Sequence, residues 1–216
     1  RDINIAIANE FACLAAEFGV DVWQAISFAN RHPRVKILNP GPGVGGHCIS
    51  VDPWFFVEAA PELARLIHTA RQVNDGQPHR TANMVAQALG GDLSGKRIAV
   101  LGLAFKADVD DLRESPAIEV AQLLAKAGAR VRAFEPFKPE QQVEGIETFP
   151  NLAAALAEAD AVILMVQHGE FTRLDPFEVA KLTPARIAID MRGQWDHTAW
   201  QAAGFTFHRL GDGRKA

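Results

Sequence analysis

Cys48 is the residue in this sequence best placed for covalent chemistry. It follows Gly45-Gly46-His47, and glycines carry no side chains to shield a neighbouring thiol and let backbone amides come close to a ligand. A thiolate is a strong nucleophile and also a good leaving group from an acyl intermediate. Four residues on, Asp52 has two readings: a carboxylate that orients or deprotonates water near the sulfur, or the cap of the helix that Pro53 begins. His47, Cys48 and Asp52 could be taken for metal ligands, but no second Cys or His stands at the spacing of a zinc site, so no metal is expected. Cys13, between Phe11, Ala12 and Leu14, reads as a small core residue without chemistry. The run Gly41-Pro42-Gly43-Val44-Gly45-Gly46 satisfies G-x-G-x-x-G formally. It does not open an amphipathic helix directly after a buried strand, so it fails as a dinucleotide fingerprint.

A second candidate is the connection from Gly102 to Ser115, 14 residues long where a strand-to-helix loop usually has about 2 to 6. Loops of that length at this position usually carry function. Ser115-Pro116 supplies the N-cap and first residue of the following helix. Lys106 and Arg113 are the loop's two cations. One reading is a solvated loop in which Arg113 pairs with Asp110 or Asp111. The other is capture of phosphate and carboxylate groups beyond the carboxyl ends of a parallel sheet.

The elements that must position these residues fall into two blocks, 1–91 and 92–216. In the first, Ile3, Ile7, Phe11, Leu14 and Phe18 run at helical spacing up to Gly19, a C-terminal cap, and Asp21 with Gln24 suggests a capping box for a second helix to about Asn30. Residues 31–53 are too rich in proline and glycine for periodic structure and are expected to form a long loop. Leu66, Ala70, Val73, Gln77, Thr81, Met84 and Ala88 keep one helical phase through Pro78. This predicts one long helix kinked near Asn74, whose stripe is core or a subunit contact. In the second block, short apolar runs at 97–101, 130–134, 161–166, 186–190 and 206–210 alternate with helical patterns at 116–127, 151–157 and 198–203. The fold class is therefore α/β: an all-α unit with a long helix, then a Rossmann-like, doubly wound parallel sheet.

The 216 residues carry 22 basic and 26 acidic side chains, a net charge of −4, so no general cationic field gathers nucleic acid or anionic lipid. Neither a nucleic acid nor a membrane is an expected partner: no apolar run approaches the roughly 18 residues of a bilayer span. Two cysteines in unrelated contexts and no basic-then-apolar leader fit a cytoplasmic protein. The first residue is Arg1, inside a helical pattern already under way, which suggests a piece of a longer chain.

Gly43-Val44-Gly45-Gly46-His47-Cys48-Ile49-Ser50-Val51-Asp52-Pro53-Trp54 resembles the active-site segment of the UDP-glucose/GDP-mannose dehydrogenases. Phe105-Lys106, Asp110-Asp111 and Arg113-Glu114-Ser115-Pro116 resemble the same family's C-terminal signature, and the stretch from Arg1-Asp2 to Asn9-Glu10 resembles the start of its central helical domain. The resemblance implies a central dimerisation domain bearing the catalytic Cys (1–91) and a UDP-sugar-binding domain (92–216). It also implies that the N-terminal NAD domain, with a catalytic Lys and Asn, lies outside this sequence, leaving the fragment inactive alone. The implied reaction oxidises a sugar primary alcohol to a carboxylate by two hydride transfers to NAD, with Cys48 as nucleophile and Asp52 assisting water or proton steps together with that Lys. Phe105, Lys106, Arg192 and Gly45 would contact the UDP-sugar, Arg113 the dinucleotide, and Arg34, in a second copy of the chain, the substrate across a homodimer. His47 and Val51 stand where UDP-glucose enzymes carry Ser and Lys, which tilts the substrate toward an N-acetylated hexosamine such as UDP-N-acetyl-mannosamine for surface polysaccharide. The alternative is a UDP-sugar-binding and dimerisation module without chemistry.

Overall fold

The structure, a computed structural model, describes residues 1–213; the last three residues of the expected second block lie outside the described residues. Helix α1 (Asp2–Phe18) ends at Gly19, whose φ of 70° is the left-handed geometry that closes a helix with little strain. Helix α2 (Val22–Ala29) starts at Asp21, whose carboxylate accepts the N–H groups of Trp23 and Gln24. Helices α3 (Asp52–Ala59), α4 (Arg65–Asp75) and α5 (Gln77–Ala88) follow an irregular stretch. Asp52 is the first residue of α3 rather than its cap, and its side chain makes no capping bond; Val51 precedes it. The cap reading of Asp52 is thereby withdrawn.

The expected long helix is interrupted at Gly76 alone, between α4 and α5, one turn or less from the place proline chemistry predicts. Pro78 has no N–H to donate and so leaves the backbone a bond short one turn back. Most of the stripe on this helix is core: Ala70, Gln77 and Thr81 are buried and Val73, Met84 and Ala88 half-buried, but Leu66 is exposed, and Val85, off the stripe, joins the apolar cluster of the sheet. The α1 stripe is not. Ala6, Ala8, Asn9, Ala12 and Ala15 face inward, while Ile7, Phe11, Leu14 and Phe18 are exposed, Phe18 to 73%. Small residues on the inner face let α4 approach closely and leave the large apolar side chains outside.

The remainder is a parallel sheet of β1 (Arg97–Leu101), β2 (Arg130–Phe134), β3 (Glu147–Thr148), β4 (Ala161–Leu164), β5 (Ile187–Asp190) and β6 (Thr206–Arg209). Its order is β3-β2-β1-β4-β5-β6, with every neighbouring pair parallel. The alternation of side chains along each strand divides the core. Ile98, Val100, Ile163 and Ile189 pack toward α6 (Pro116–Lys126) and α5. Ala99, Leu101, Val162 and Leu164 pack on the other face with α7 (Leu152–Leu156), α9 (Pro176–Leu182) and Trp200 of α10 (His197–Ala202). Strand β3, α8 (Gly169–Thr172) and α9 had no counterpart in the sequence expectations, because β3 and α8 are too short to show a period. Near the C-terminus the sheet is tied back to the first helices: Trp23 Nε1 donates to the Leu210 carbonyl at 2.7 Å, Val22 N to the Gly211 carbonyl at 2.8 Å, and Arg209 pairs with Asp21 at 2.6 Å.

Strand order reverses between β1 and β4, so both connections leave in opposite directions and open a crevice at the carboxyl ends of these strands. Gly102 caps β1 there with a φ of +93°, and a Cβ on it would run into the Val166 side chain. The substitution Gly102→Ala is expected to cost about 3 kcal/mol, strain and overpacking together. Urea denaturation checks this as a lowered midpoint with unchanged slope.

Candidate functional site

The loop between β1 and α6 sits at the strand-order reversal and has no regular structure over residues 102–115. Ser115 caps α6 by accepting the Ala117 N–H, with Pro116 next, as its sequence implies. Phe105 is half-buried and Lys106 is exposed, so the lysine presents its ammonium to solvent from a backbone fixed beneath it. The fixing groups come from elsewhere in the sheet. Glu135, directly after β2, accepts the N–H groups of Leu103 and Ala104 at 2.8 and 2.9 Å on Oε2 and that of Phe137 at 3.1 Å on Oε1. His168 lies 3.0 Å from the same Oε2 through Nε2 and accepts the Asp108 N–H at Nδ1 at 2.9 Å. Burial pushes the Glu135 carboxyl up, but the His168 and backbone hydrogen bonds outweigh it and hold the group below its usual range.

Arg113 pairs with Asp111, Nη2 to Oδ2 at 2.6 Å and Nε to Oδ1 at 2.9 Å, so of the two carboxylates open at the sequence level Asp111 is the partner. The guanidinium and the Arg113 N–H hold the Asp111 carboxyl far below the ordinary carboxylate range. Arg113 in turn is raised above the ordinary guanidinium range, chiefly by Asp111 and further by Cys48. Arg113 remains 65% exposed at its side chain, so pairing does not remove it from reach of a ligand.

Cys48 is exposed, in a turn closed by the Val51 and Asp52 N–H groups donating to the Cys48 carbonyl at 3.1 and 2.8 Å. Ser50 Oγ bonds back to the Gly46 carbonyl. The glycines before it are pressed against the loops at the carboxyl ends of the strands. A Cβ on Gly46 would lie 2.9 Å from the Phe105 ring; one on Gly43, 2.6 Å from Pro116; one on Gly45 would overlap the Glu114 carbonyl; one on Gly41 would overlap the Arg192 guanidinium. These absent side chains let the Cys48 turn and the Lys106 loop meet. The formal G-x-G-x-x-G accordingly faces protein rather than an open phosphate cradle.

Arg192 is half-buried behind Gly41, with Nε donating to Gln167 Oε1 at 3.1 Å; burial lowers its pKa, and Asp190 partly offsets that. Asp190, the last residue of β5 and fully buried, accepts the N–H groups of Arg192, Gly193, Gln194 and Trp195 at 2.7 to 2.8 Å, and so shapes the turn that carries Arg192. Gly43, Phe105, Lys106, Gln167 and Arg192 line a cavity of about 30 Å³, and a wider hollow of about 410 Å³ extends from Val44, Ser50 and Trp54 to Glu114 and Glu119. The structure thus brings Cys48, Gly45, Phe105, Lys106, Arg113 and Arg192 to one side of the sheet, with Asp52 one turn past the thiol.

Arg34 stands apart, on an exposed turn whose backbone N bonds to His32 Nδ1; its neighbour Arg31 stacks over Phe28 at 4.8 Å. Cys13 departs from the core expectation. It is half-exposed, with Arg80 Nη1 3.0 Å from its sulfur.

Sequence reasoning missed the residues that hold the site in place. Arg71, 1% exposed, bonds Asp2 at 2.6 Å, pairs with Asp75 and reaches the Ile49 carbonyl at 3.4 Å. Asn74 bonds Asp2 and receives Asn9, whose Oδ1 accepts the Gly41 N–H at 2.9 Å. This buried network anchors both ends of residues 41–49. Its members are polar residues on helices, where composition alone suggests a solvated face. Asp190 and Glu135 did carry a signal, since each is an acidic residue directly after an apolar strand.

Among the described residues, no group of three His, Cys, Asp or Glu is arranged to hold a metal, and no helix is long and apolar enough to cross a membrane. Residues 1–76 match the family model for the central domain of the UDP-glucose/GDP-mannose dehydrogenase family, and residues 99–197 the model for its UDP binding domain. An NDP-N-acetyl-D-galactosaminuronic acid dehydrogenase of Ralstonia nicotianae is 51% identical over 198 residues, 90% of this chain and 45% of that protein. A UDP-N-acetyl-D-mannosamine dehydrogenase of Salmonella typhi is 46% identical over 205 residues, 90% of this chain and 48% of that protein. The solved UDP-D-ManNAc dehydrogenase of Pyrococcus horikoshii superposes with a TM-score of 0.88 at 37% identity, over 99% of this chain and 49% of that one. The chain spans about half the length of the relatives it matches. With a glycine-framed thiol beside the Lys106 loop at the carboxyl end of a parallel sheet, and with both family models covering these elements in order, the chain belongs to the UDP-glucose/GDP-mannose dehydrogenase family.

Proposed function

We propose that this chain is the thiol-bearing and UDP-sugar-binding half of an NAD-dependent UDP-sugar 6-dehydrogenase, divided into a helical domain (1–91) and a sheet domain (92–216). The observation that carries the reading is the exposed Cys48 held by a glycine segment against the Phe105–Lys106 loop. Lys106 and Arg192 bind the diphosphate and sugar, Phe105 packs beside them, and the backbone at Gly45 admits the hexose. The cavity behind Lys106, about 30 Å³, has room for about one water, so the nucleotide meets the exposed Lys106 from its solvent side.

NAD, when bound, would supply the hydride acceptor for both oxidations of the sugar carbon. The glycine segment of this chain is filled by Phe105, Pro116 and Arg192 and leaves no pyrophosphate cradle. The dinucleotide is therefore held chiefly by residues outside this chain, with Arg113 contributing from this side. The Cys48 thiolate adds to the aldehyde carbon, forming a C–S bond and a thiohemiacetal; once oxidised, the thioester is attacked by water, the C–S bond breaks, and carboxylate and thiolate are released. Asp52, one turn from the sulfur and exposed, orients that water or takes its proton. Alone, the chain binds nucleotide and does not turn it over. In the full-length protein, Cys48→Ala is expected to lower UDP-sugar oxidation by more than about a hundredfold. Turnover unchanged by the substitution removes the thiol from the mechanism.

The substrate we assign is UDP-N-acetyl-mannosamine, oxidised to the uronate for surface polysaccharide. His47 and Val51 and the N-acetyl sugars named for the relatives support an N-acetylated hexosamine. The galactosaminuronate reading is favoured by the 51% identity of the Ralstonia protein. Parallel assays with the two UDP-N-acetyl-hexosamines, read as kcat/KM, decide between them. For UDP itself, calorimetry on this chain is expected to show Lys106→Ala weakening binding by at least about tenfold, the scale of a charge-assisted phosphate contact.

The protein works in the cytoplasm as a homodimer through its helical domain, and Arg34 reaches the substrate of the second copy. Two free thiols support the compartment, and the exposed Ile7, Phe11, Leu14 and Phe18 support the dimer. The double change Leu14→Asp and Phe18→Asp is expected to convert dimer to monomer in sedimentation; an unchanged dimer places the interface elsewhere.

A further inference from the structure

We infer that His168 and Glu135 are positioning residues for the nucleotide-sugar site, clamping the β1–α6 loop on both sides of Phe105 and Lys106. The inference rests on the reading of Lys106 as a ligand of UDP given above. Glu135 takes the N–H groups of Leu103 and Ala104, immediately before the pair. His168 takes that of Asp108, two residues after Lys106. The Asp108 carboxylate then turns back to the Gly169 N–H at 2.8 Å. Phe105, Lys106 and Ala107 are the span left between these anchors. Because His168 Nδ1 accepts, its proton lies on Nε2 and is donated to Glu135 Oε2, so the two anchors are one connected unit.

Three features distinguish this unit from a histidine that merely fills the core. His168 is completely buried, its ring plane fixed between Phe137 at 5.0 Å and Phe171 at 5.6 Å, yet both its nitrogens are committed to polar partners. Every backbone N–H it or Glu135 Oε2 receives belongs to this one loop. Asp108 is held at a φ of 56°, a left-handed geometry that a non-glycine residue keeps only where its surroundings over-determine it. Lys106 is itself exposed, so packing of its own side chain does not fix the backbone that aims it. In a loop released from its anchors Lys106 is seldom in place, so UDP is bound largely without the Lys106 contact and affinity falls toward that of a chain lacking it.

The test is a double-mutant cycle on the 216-residue chain, read by calorimetry with UDP. His168→Phe keeps a ring between Phe137 and Phe171 and removes both hydrogen bonds. It is expected to weaken UDP by up to about tenfold, the loss of the Lys106 contact itself. In the His168→Phe background, Lys106→Ala is expected to add less than about threefold, because the two act through one contact. Losses that simply add, or a His168→Phe protein that binds UDP normally, overturn the clamp. If Lys106→Ala in the otherwise unchanged chain leaves UDP binding intact, the nucleotide-site reading is lost and the clamp with it, an outcome separable from additivity. Should His168→Phe not fold, Glu135→Leu replaces it in the same cycle, since it removes the acceptor of the Leu103 and Ala104 N–H groups, and the same non-additivity is expected.

Discussion

The contact on which the site depends is one from which side chains are excluded. At Gly41, Gly43, Gly45 and Gly46 the backbone of one segment lies where a Cβ would strike Arg192, Pro116, the Glu114 carbonyl and Phe105. Interiors tolerate small volume errors poorly: a methyl at Gly43, Gly45 or Gly46 has to move Pro116, backbone or the Phe105 ring, whereas one at Gly41 meets only the far end of the Arg192 side chain. Only a run of glycines brings the Cys48 turn flush with the carboxyl ends of β1, β4 and β5. Two pieces of chain that would otherwise be separate surfaces become one site.

Such a joint needs rigid supports, and they are polar. On the helical side, Asp2, Arg71, Asn74 and Asn9 tie down residues 41–49 from beneath. On the sheet side, Glu135 with His168 and Asp190 with its four backbone donors shape the two loops that carry Lys106 and Arg192. Buried polar groups are costly unless satisfied, and satisfied ones hold a single arrangement where apolar packing would accept several. The groups that would meet a substrate can therefore be exposed. Cys48, Lys106 and Arg113 project into solvent from backbones whose geometry is set from behind.

The same division explains the exposed face of α1. Alanines on its inner side allow α4 to approach, so the large apolar residues at helical spacing point outward. Periodicity reveals that a face exists. It does not reveal whether the chain's own core or another surface covers it.

The sequence by itself determined the alternation of short apolar runs with helices, hence the parallel sheet, the long β1–α6 loop with its Ser115 cap, and a thiol set among glycines. These are local properties: side-chain period, caps and steric freedom are written within a few residues of where they act. Tertiary structure decided that Asp111 rather than Asp110 pairs with Arg113, that Asp52 begins α3 without capping it, and that Cys13 meets Arg80 instead of apolar neighbours. It also assembled the networks of Arg71, Glu135 and Asp190. Each of these depends on which distant groups the packing brings within hydrogen-bond reach, and no local pattern encodes the partner of a side chain in a contact that spans many residues.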